Sequence, residues 1–310
     1  METLIRCRTW LNPLQNADAE LKNNLKDKTE GTCTWILGMK EFNSIIEDKQ
    51  RQHLWIHGQP GKSPAHNSEV ILLTFLSTTG AGKSVLSSSM VQAMRDYSSI
   101  KHRVLHFFCK DGSPATSTAA AIIANLIDQL VKLTLKSLFT ILKTARQNNA
   151  TSIHCTDFAT LWAIFLDMVR QFPTRIIVFV DALDECTVQR SDFLNALTSL
   201  PAEVDVRFCV TSRNYPDIKK AFAERLDIRT AEMTPEDDIT RYLEDSVDKH
   251  EELHSHREEI LEKVPRRGAG MFRYAVLIID ELLSSCVNIS KTLESPPATL
   301  NECTNAFCSD

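Results

Sequence analysis

The sequence has no Cys-x-x-Cys pair, although it carries nine cysteines. Without that spacing, a zinc ribbon or a thioredoxin-like redox centre has no footing. Several cysteines lie in apolar runs, as Cys209 does in RFCV, where a thiol behaves as a small buried hydrophobe. The pattern reads as a reduced, cytoplasmic chain. Long apolar runs are also missing. METLIRCRTWLNPLQ holds no signal peptide. VILLTFL and AVLII fall far short of the roughly 20 residues a membrane helix needs. A basic excess is absent too: 35 Lys and Arg stand against 40 Asp and Glu, so neither nucleic acid nor a membrane is expected as a partner. There is no internal repeat and no low-complexity tract.

What remains is an ordinary globular composition, 43% apolar and 24% charged, over 310 residues. That length suits one large domain or two smaller ones. Residues 9–50 alternate short amphipathic stretches with polar breaks. A βα rhythm follows: HLWIH (53–57) as a strand, VLSSSMVQAMRDY (85–97) as a helix, and HRVLHFF (102–108) as a strand. TAAAIIANLIDQLVKLTLKSLFTILK (118–143) reads as one long helical region and DFATLWAIFLDMVRQF (157–172) as another. RIIVFVD (175–181) is continuously apolar, as a parallel strand buried on both faces should be. VDVRFCVTSR (204–213) is the next strand. After Pro235 only helical patterns appear. The expected architecture is α/β: a parallel sheet with helices on both faces, followed by a smaller all-helical domain.

Gly-Lys-Ser occurs twice, at Gly61-Lys62-Ser63 and at Gly82-Lys83-Ser84. A phosphate loop needs Gly-x-x-x-x-Gly-Lys-Ser/Thr between a strand and a helix, because its N–H groups and the helix start converge on phosphate oxygens. The first copy, GQPGKS, has too few residues between its glycines and opens no helix. The second opens the helix at 85 but has Ser77 where the first glycine belongs, with Gly80 inside the loop. Removing residues 62–80 joins Gly58-Gln59-Pro60-Gly61 to Ala81-Gly82-Lys83-Ser84, and GQPGAGKS is a complete loop directly after HLWIH. We read a halved motif with a 19-residue insertion. An unspliced intron would account for it: Gly61-Lys62-Ser63 and Thr79-Gly80 can be encoded with GT and AG at the junctions. Lys83 would reach phosphates and Ser84 a Mg²⁺ ion. In IIVFVDALDEC, Asp181 ends the strand where a Mg²⁺ partner belongs, and Asp184 and Glu185 follow where a carboxylate can orient water. Arg213 ends the next strand, placed to sense a terminal phosphate. Such ligands sit at the carboxyl ends of parallel strands.

GQPG…AGKS, VDALDEC and VTSR, in this order, resemble a NACHT-type P-loop NTPase of the STAND class, most closely the fungal proteins with a nephrocystin-type N-terminal domain. Gly31-Thr32-Cys33-Thr34-Trp35 is similar to that group's Gly-Thr-x-x-Trp signature, and Gly270-Met271-Phe272-Arg273-Tyr274-Ala275 to its Gly-Met-Phe-x-x-Ala element. The resemblance implies an ATP/ADP (or GTP) switch with Mg²⁺. It places Thr32 and Trp35 near the nucleotide base. It also implies self-association or protein partners through flanking domains, and a role in self/non-self recognition or cell death. The domains expected are a helical linker region (1–50), the NTPase domain (51–232, insertion 62–80), a helical or winged-helix-like domain (233–300) and a divergent tail (301–310) of a truncated gene product.

Two other readings stand beside this one. A scaffold that has lost nucleotide binding through the insertion keeps the same fold, and slow hydrolysis is in doubt for the same reason. A small-molecule kinase would need an Arg-rich lid, which the stretch 118–175 lacks. His250, His254 and His256 in DKHEELHSHREE read as a solvated helix face rather than a zinc site.

Overall fold

The computed structural model describes residues 2–13, 15–58, 82–97, 102–133, 136–148, 157–223, 225, 227–233, 235–268, 270–284 and 289–294. The chain divides into two compact units. The first comprises residues 1–26, 36–57 and 87–231, and the second residues 27–35, 58–86 and 232–310. The segment VILLTFL, Gly61, Gly80 and nearly all of the interrupted loop lie outside the described residues.

A five-stranded sheet organises the first unit. Its strands are β1 (His53–Gly58), β2 (His102–Phe108), β3 (Arg175–Asp181), β4 (Val206–Arg213) and β5 (Ile228–Glu232), in the order β2-β3-β4-β1-β5. β2 pairs with β3 in parallel from His102–Arg175 to Phe108–Asp181, and β3 with β4 from Ile176–Val206 to Val180–Val210. The ring of His53 on β1 bonds Phe208 and the indole of Trp55 bonds Ser212, so β1 and β4 also advance together. Successive residues Ile176 to Val180 are all buried. Side chains alternate between the faces of a strand, so both faces of the sheet are covered. This is the expected α/β architecture.

Helices close the core. α5 (Ala119–Lys132) starts at Thr118, whose hydroxyl accepts the Ala121 N–H at 3.0 Å, and α7 (Phe158–Val169) starts at Asp157, which accepts the Thr160 N–H at 2.8 Å. The single long helix expected over 118–143 is instead two, with α5 ending at Lys132 and α6 spanning Lys136–Asn148. A 26-residue helix would run about 39 Å, whereas a seven-residue strand runs about 23 Å. Breaking the helix lets Leu138 and Leu142 join the core that the sheet defines. Three other short elements carry too few buried positions to be read from the sequence: α8 (Arg190–Thr198), α9 (Pro216–Phe222) and β5, where only Ile228 and Ala231 are buried.

β2 is an edge strand, and two glutamines finish its ladder. The Gln129 side-chain amide accepts from the His106 N–H at 3.1 Å and donates to its C=O at 2.7 Å. Gln15 does the same for Phe108 at 3.3 and 2.6 Å. Each amide stands in for a neighbouring peptide and blunts the edge. The N-terminal helices α1 (Glu2–Leu11) and α2 (Ala17–Lys26) belong to this unit. Arg8 pairs with Asp128 at 2.5 Å, Lys110 with Glu20 at 2.7 Å, and Trp10 and Leu11 are buried.

The opposite end of the sheet holds arginines. Arg207 is 0% exposed and donates to the carbonyls of Ser44, Ile45 and Asp48 at 3.1, 3.0 and 2.7 Å, while Arg175 donates to Ile46 and Asp48. Those carbonyls end helix α3 (Lys40–Glu47), where the last turn lacks intrahelical partners and carries partial negative charge. Asp205 receives both Nε groups.

In the second unit the described residues form helices: the first turn of α4 (Lys83–Asp96), then α10 (Glu236–Lys249), α11 (Arg257–Gly268), α12 (Phe272–Ser284) and α13 (Ile289–Glu294). Ile239, Leu243 and Val247 on α10 repeat at spacing four and pack with Ile260, Val264, Tyr274, Ile278 and Leu282. His250 bonds the Ser246 carbonyl and His256 faces Glu259. Among the described residues no group of three His, Cys, Asp or Glu side chains could hold a metal ion. None of the described helices is long and apolar enough to cross a membrane.

Two outcomes test this packing. Arg207→Met leaves the α3 carbonyls without their cationic donor, and urea unfolding should show a loss of about 3 kcal/mol; a loss under about 1 kcal/mol would refute the capping role. The second outcome concerns acid. Burial, reinforced by Arg51 for His53 and by Arg95 for His106, lowers both imidazoles from 6.5 to about 4. Both therefore stay neutral in the fold and take up a proton on unfolding between those values. Stability should be fully present above pH 6.5 and fall as pH drops toward 4, by up to roughly 3 kcal/mol per histidine. His106→Gln should flatten the decline, and a urea midpoint unchanged between pH 7 and pH 4.5 would contradict it.

Candidate functional site

The carboxyl ends of β3 and β4 carry the first set of candidate residues. Asp181 is 1% exposed, and its Oδ1 accepts the Thr211 hydroxyl at 2.5 Å. Thr211 in turn accepts the Ala182 N–H at 2.9 Å. One hydroxyl on β4 thus fixes both the carboxylate at the end of β3 and the turn after it. Ala182 adopts a left-handed conformation, φ 51° and ψ 49°, uncommon for a residue with a Cβ. That turn throws Leu183–Glu185 into a single 3₁₀ turn. Arg190 holds this turn through the carbonyls of Asp184 and Cys186, at 2.8 and 3.2 Å.

Asp184 is buried and faces Arg213. The Arg213 backbone N–H donates to Oδ1 at 2.9 Å, and its Nε lies 3.1 Å from Oδ2. The pair is charge-assisted and largely shielded from water, which compensates the burial of the carboxylate. Glu185 accepts the Asp111 N–H at 3.2 Å. Burial raises its proton affinity above the usual carboxylate range, and Asp184 and Asp181 add to this. Burial likewise pushes up the thiols of Cys109 and Cys186 beside this turn, Cys186 to about 12, so they are inert packing groups. A Mg²⁺ ion is commonly held by one or two carboxylates together with phosphate oxygens and waters rather than by a full protein cage, so Asp181, fixed and buried, fits that need.

The second set lies in the other unit. Gly82 has φ +71°, which a glycine adopts without strain, and its carbonyl accepts the Leu86 N–H at 2.8 Å. Lys83 and Ser84 occupy the first turn of α4, where backbone N–H groups lack helical acceptors. A Cβ at Gly82 would stand 3.6 Å from Met233 and 3.8 Å from Phe272, so the start of α4 lies against the Gly-Met-Phe element. Gly58 ends β1.

Thr32 is buried, and its hydroxyl donates to the Thr29 carbonyl at 2.7 Å. Trp35 donates its indole N–H to Asp238 at 3.1 Å, and the Cys33 N–H donates to the other oxygen of the same carboxylate at 2.9 Å. Asp238, to which sequence reasoning assigned no role, anchors the Gly31–Trp35 turn. Sequence reasoning also assigned no role to Thr211, Arg190 or Tyr215. The signal for Thr211 was present: it stands in VTSR, one strand over from Asp181.

The family model described as Nephrocystin 3, N-terminal, matches residues 62–213, a span that includes Lys83, Ser84, Asp181, Asp184, Glu185 and Arg213. The vegetative incompatibility protein HET-E-1 of Podospora anserina is 22% identical over 192 residues; the match covers 60% of this chain and 12% of that protein. Two solved structures align as well. Cdc6p from Pyrobaculum aerophilum has a TM-score of 0.46 at 13% identity, over 86% of this chain and 61% of its own. A Drosophila ORC structure bound to DNA has 0.37 at 12%, over 82% and 55%. The ordered motifs, the sheet that carries them and the two sequence matches together support a NACHT-type NTPase domain in this chain.

Proposed function

We propose that this chain is the nucleotide-switch module of a STAND signalling protein, taking ATP or ADP (or GTP) with Mg²⁺ and hydrolysing the triphosphate slowly. The observation that carries this reading is the set of acidic side chains at the end of β3, with Asp181 locked by Thr211 and Arg213 on the adjoining strand end. Such a cluster of carboxylates is costly without a cation, and a Mg-nucleotide complex brings one. When bound, Mg²⁺ neutralises charge on the phosphate oxygens.

The chain's own residues then divide the work. Lys83 and Ser84, at the start of α4, would take phosphate oxygens and the metal. Asp181 would present its carboxylate to the metal. Asp184 already has both oxygens on Arg213 and serves to hold that arginine. Glu185, whose proton affinity is raised, takes the proton of the attacking water. Arg213 reads the terminal phosphate, and the Thr32–Trp35 turn borders the base. The name of the Podospora relative supports a place in self/non-self recognition, with self-association or protein partners engaged through flanking domains.

Calorimetric titration of the chain at micromolar concentration with Mg-ATP should give saturable heat, and Lys83→Ala should weaken binding at least about tenfold. No heat from the chain, restored by deleting residues 62–80, would instead mark a scaffold whose phosphate loop is disabled. No heat from either form would end the nucleotide reading. Glu185→Gln should slow single-turnover ATP hydrolysis about 100-fold while leaving ATP affinity unchanged; equal rates would remove Glu185 from the chemistry.

A further inference from the structure

Two residues past Arg213, Tyr215 makes three contacts with it. Its hydroxyl accepts from Arg213 Nη1 at 3.1 Å. Its backbone N–H donates to the Arg213 carbonyl at 2.9 Å. Its ring centroid lies 5.9 Å from the Arg213 guanidinium carbon. A second guanidinium, that of Arg190, lies 5.7 Å from the same centroid. Both are within the roughly 6 Å at which a cation is attracted to an aromatic ring.

Arg190 is itself fixed. It pairs with Asp217 at 2.8 Å and holds the two carbonyls of the 3₁₀ turn. The ring of Tyr215 therefore lies within cation–π reach of the Arg213 guanidinium and of the anchored Arg190. Tyr215 is 36% exposed, so filling the core does not account for an aromatic residue here. The carbonyl of Arg213 is held from its own strand as well: Ser212 Oγ donates to it at 2.8 Å and accepts the Trp55 indole N–H at 2.8 Å.

A guanidinium is a rigid planar fork, so two anchors at different nitrogens define its plane. Asp184 holds the guanidinium by an ion pair at Nε, and the Tyr215 hydroxyl accepts a hydrogen bond from Nη1. We propose that Tyr215 is a positioning residue: it fixes the plane of the Arg213 guanidinium, and through it the discrimination between nucleoside triphosphate and diphosphate. This second consequence rests on the reading of Arg213 as the group that senses the terminal phosphate; the first does not.

Tyr215→Phe tests both, because it deletes the hydroxyl and keeps the ring. With arginine side chains labelled with ¹⁵N and the Arg213 signal assigned by its loss in Arg213→Lys, the Nε–H of Arg213 should exchange with solvent at least about tenfold faster in Tyr215→Phe, while the melting temperature moves by less than about 2 °C. Unchanged exchange overturns the positioning role whatever the chain binds. In the second arm, Tyr215→Phe should weaken Mg-ATPγS binding about tenfold and leave Mg-ADP binding unchanged. Equal loss for both nucleotides overturns the discrimination and makes the residue merely structural. If the unaltered chain binds neither nucleotide, the nucleotide reading fails, and the exchange measurement alone decides for or against the positioning.

Discussion

A parallel sheet buried on both faces has only its two ends for polar side chains. In this chain both ends are filled, with opposite chemistry. Where the strands begin, Arg51, Arg175, Arg207 and Arg225 spend their donors on main-chain carbonyls and on Asp205 and Asp227. Those contacts tie α3 and the connections before β4 and β5 to the sheet. Where β3 and β4 end, carboxylates gather instead. The first end is closed on itself, because its cations already meet acceptors. The second keeps an acidic excess, and this asymmetry makes it the end at which a ligand bringing a cation is favoured.

The acidic end is held by a few short links. Thr211 is the central one, since a single hydroxyl orients Asp181 and fixes the left-handed turn at Ala182. The turn places Asp184 back over β4, where Arg213 meets it through both backbone and side chain. Asp184 is thereby neutralised, whereas Glu185 is left with raised proton affinity. Two neighbouring carboxylates with different environments divide into one that holds an arginine and one suited to accept a proton.

Much of this was legible in the residues. The strand at 175 announces itself as a continuous apolar run, with Asp181 at its end, and those at 53 and 102 as short β-prone stretches in a βα rhythm. β5 did not, because an edge strand with two buried side chains leaves almost no pattern. The helix over 118–143 is apolar on both sides of Leu133, so periodicity alone does not reveal the break; the length of the sheet it covers decides it. Asp238 is hidden for another reason. It lies some two hundred residues from the turn it anchors, and in sequence a carboxylate at a helix start has a sufficient local explanation already. The phosphate loop is legible only in halves, GQPG and AGKS, because residues 62–80 stand between them in the sequence.

The position of Arg213 depends on more than its own strand. Trp55 on β1 donates to Ser212, and Ser212 donates to the carbonyl of Arg213, at 2.8 Å each. Trp55 also stands 4.6 Å, ring to ring, from His57, one residue before Gly58 at the end of β1. A shift in the end of β1 therefore reaches Arg213 through two direct hydrogen bonds. Asp184 meets the arginine from the 3₁₀ turn, Tyr215 from the start of α9, and Ser212 on its own strand links it to Trp55 of β1, so its setting registers all three segments. An arginine held in this way is suited to a switch, because a change in any one of the three segments alters what it presents.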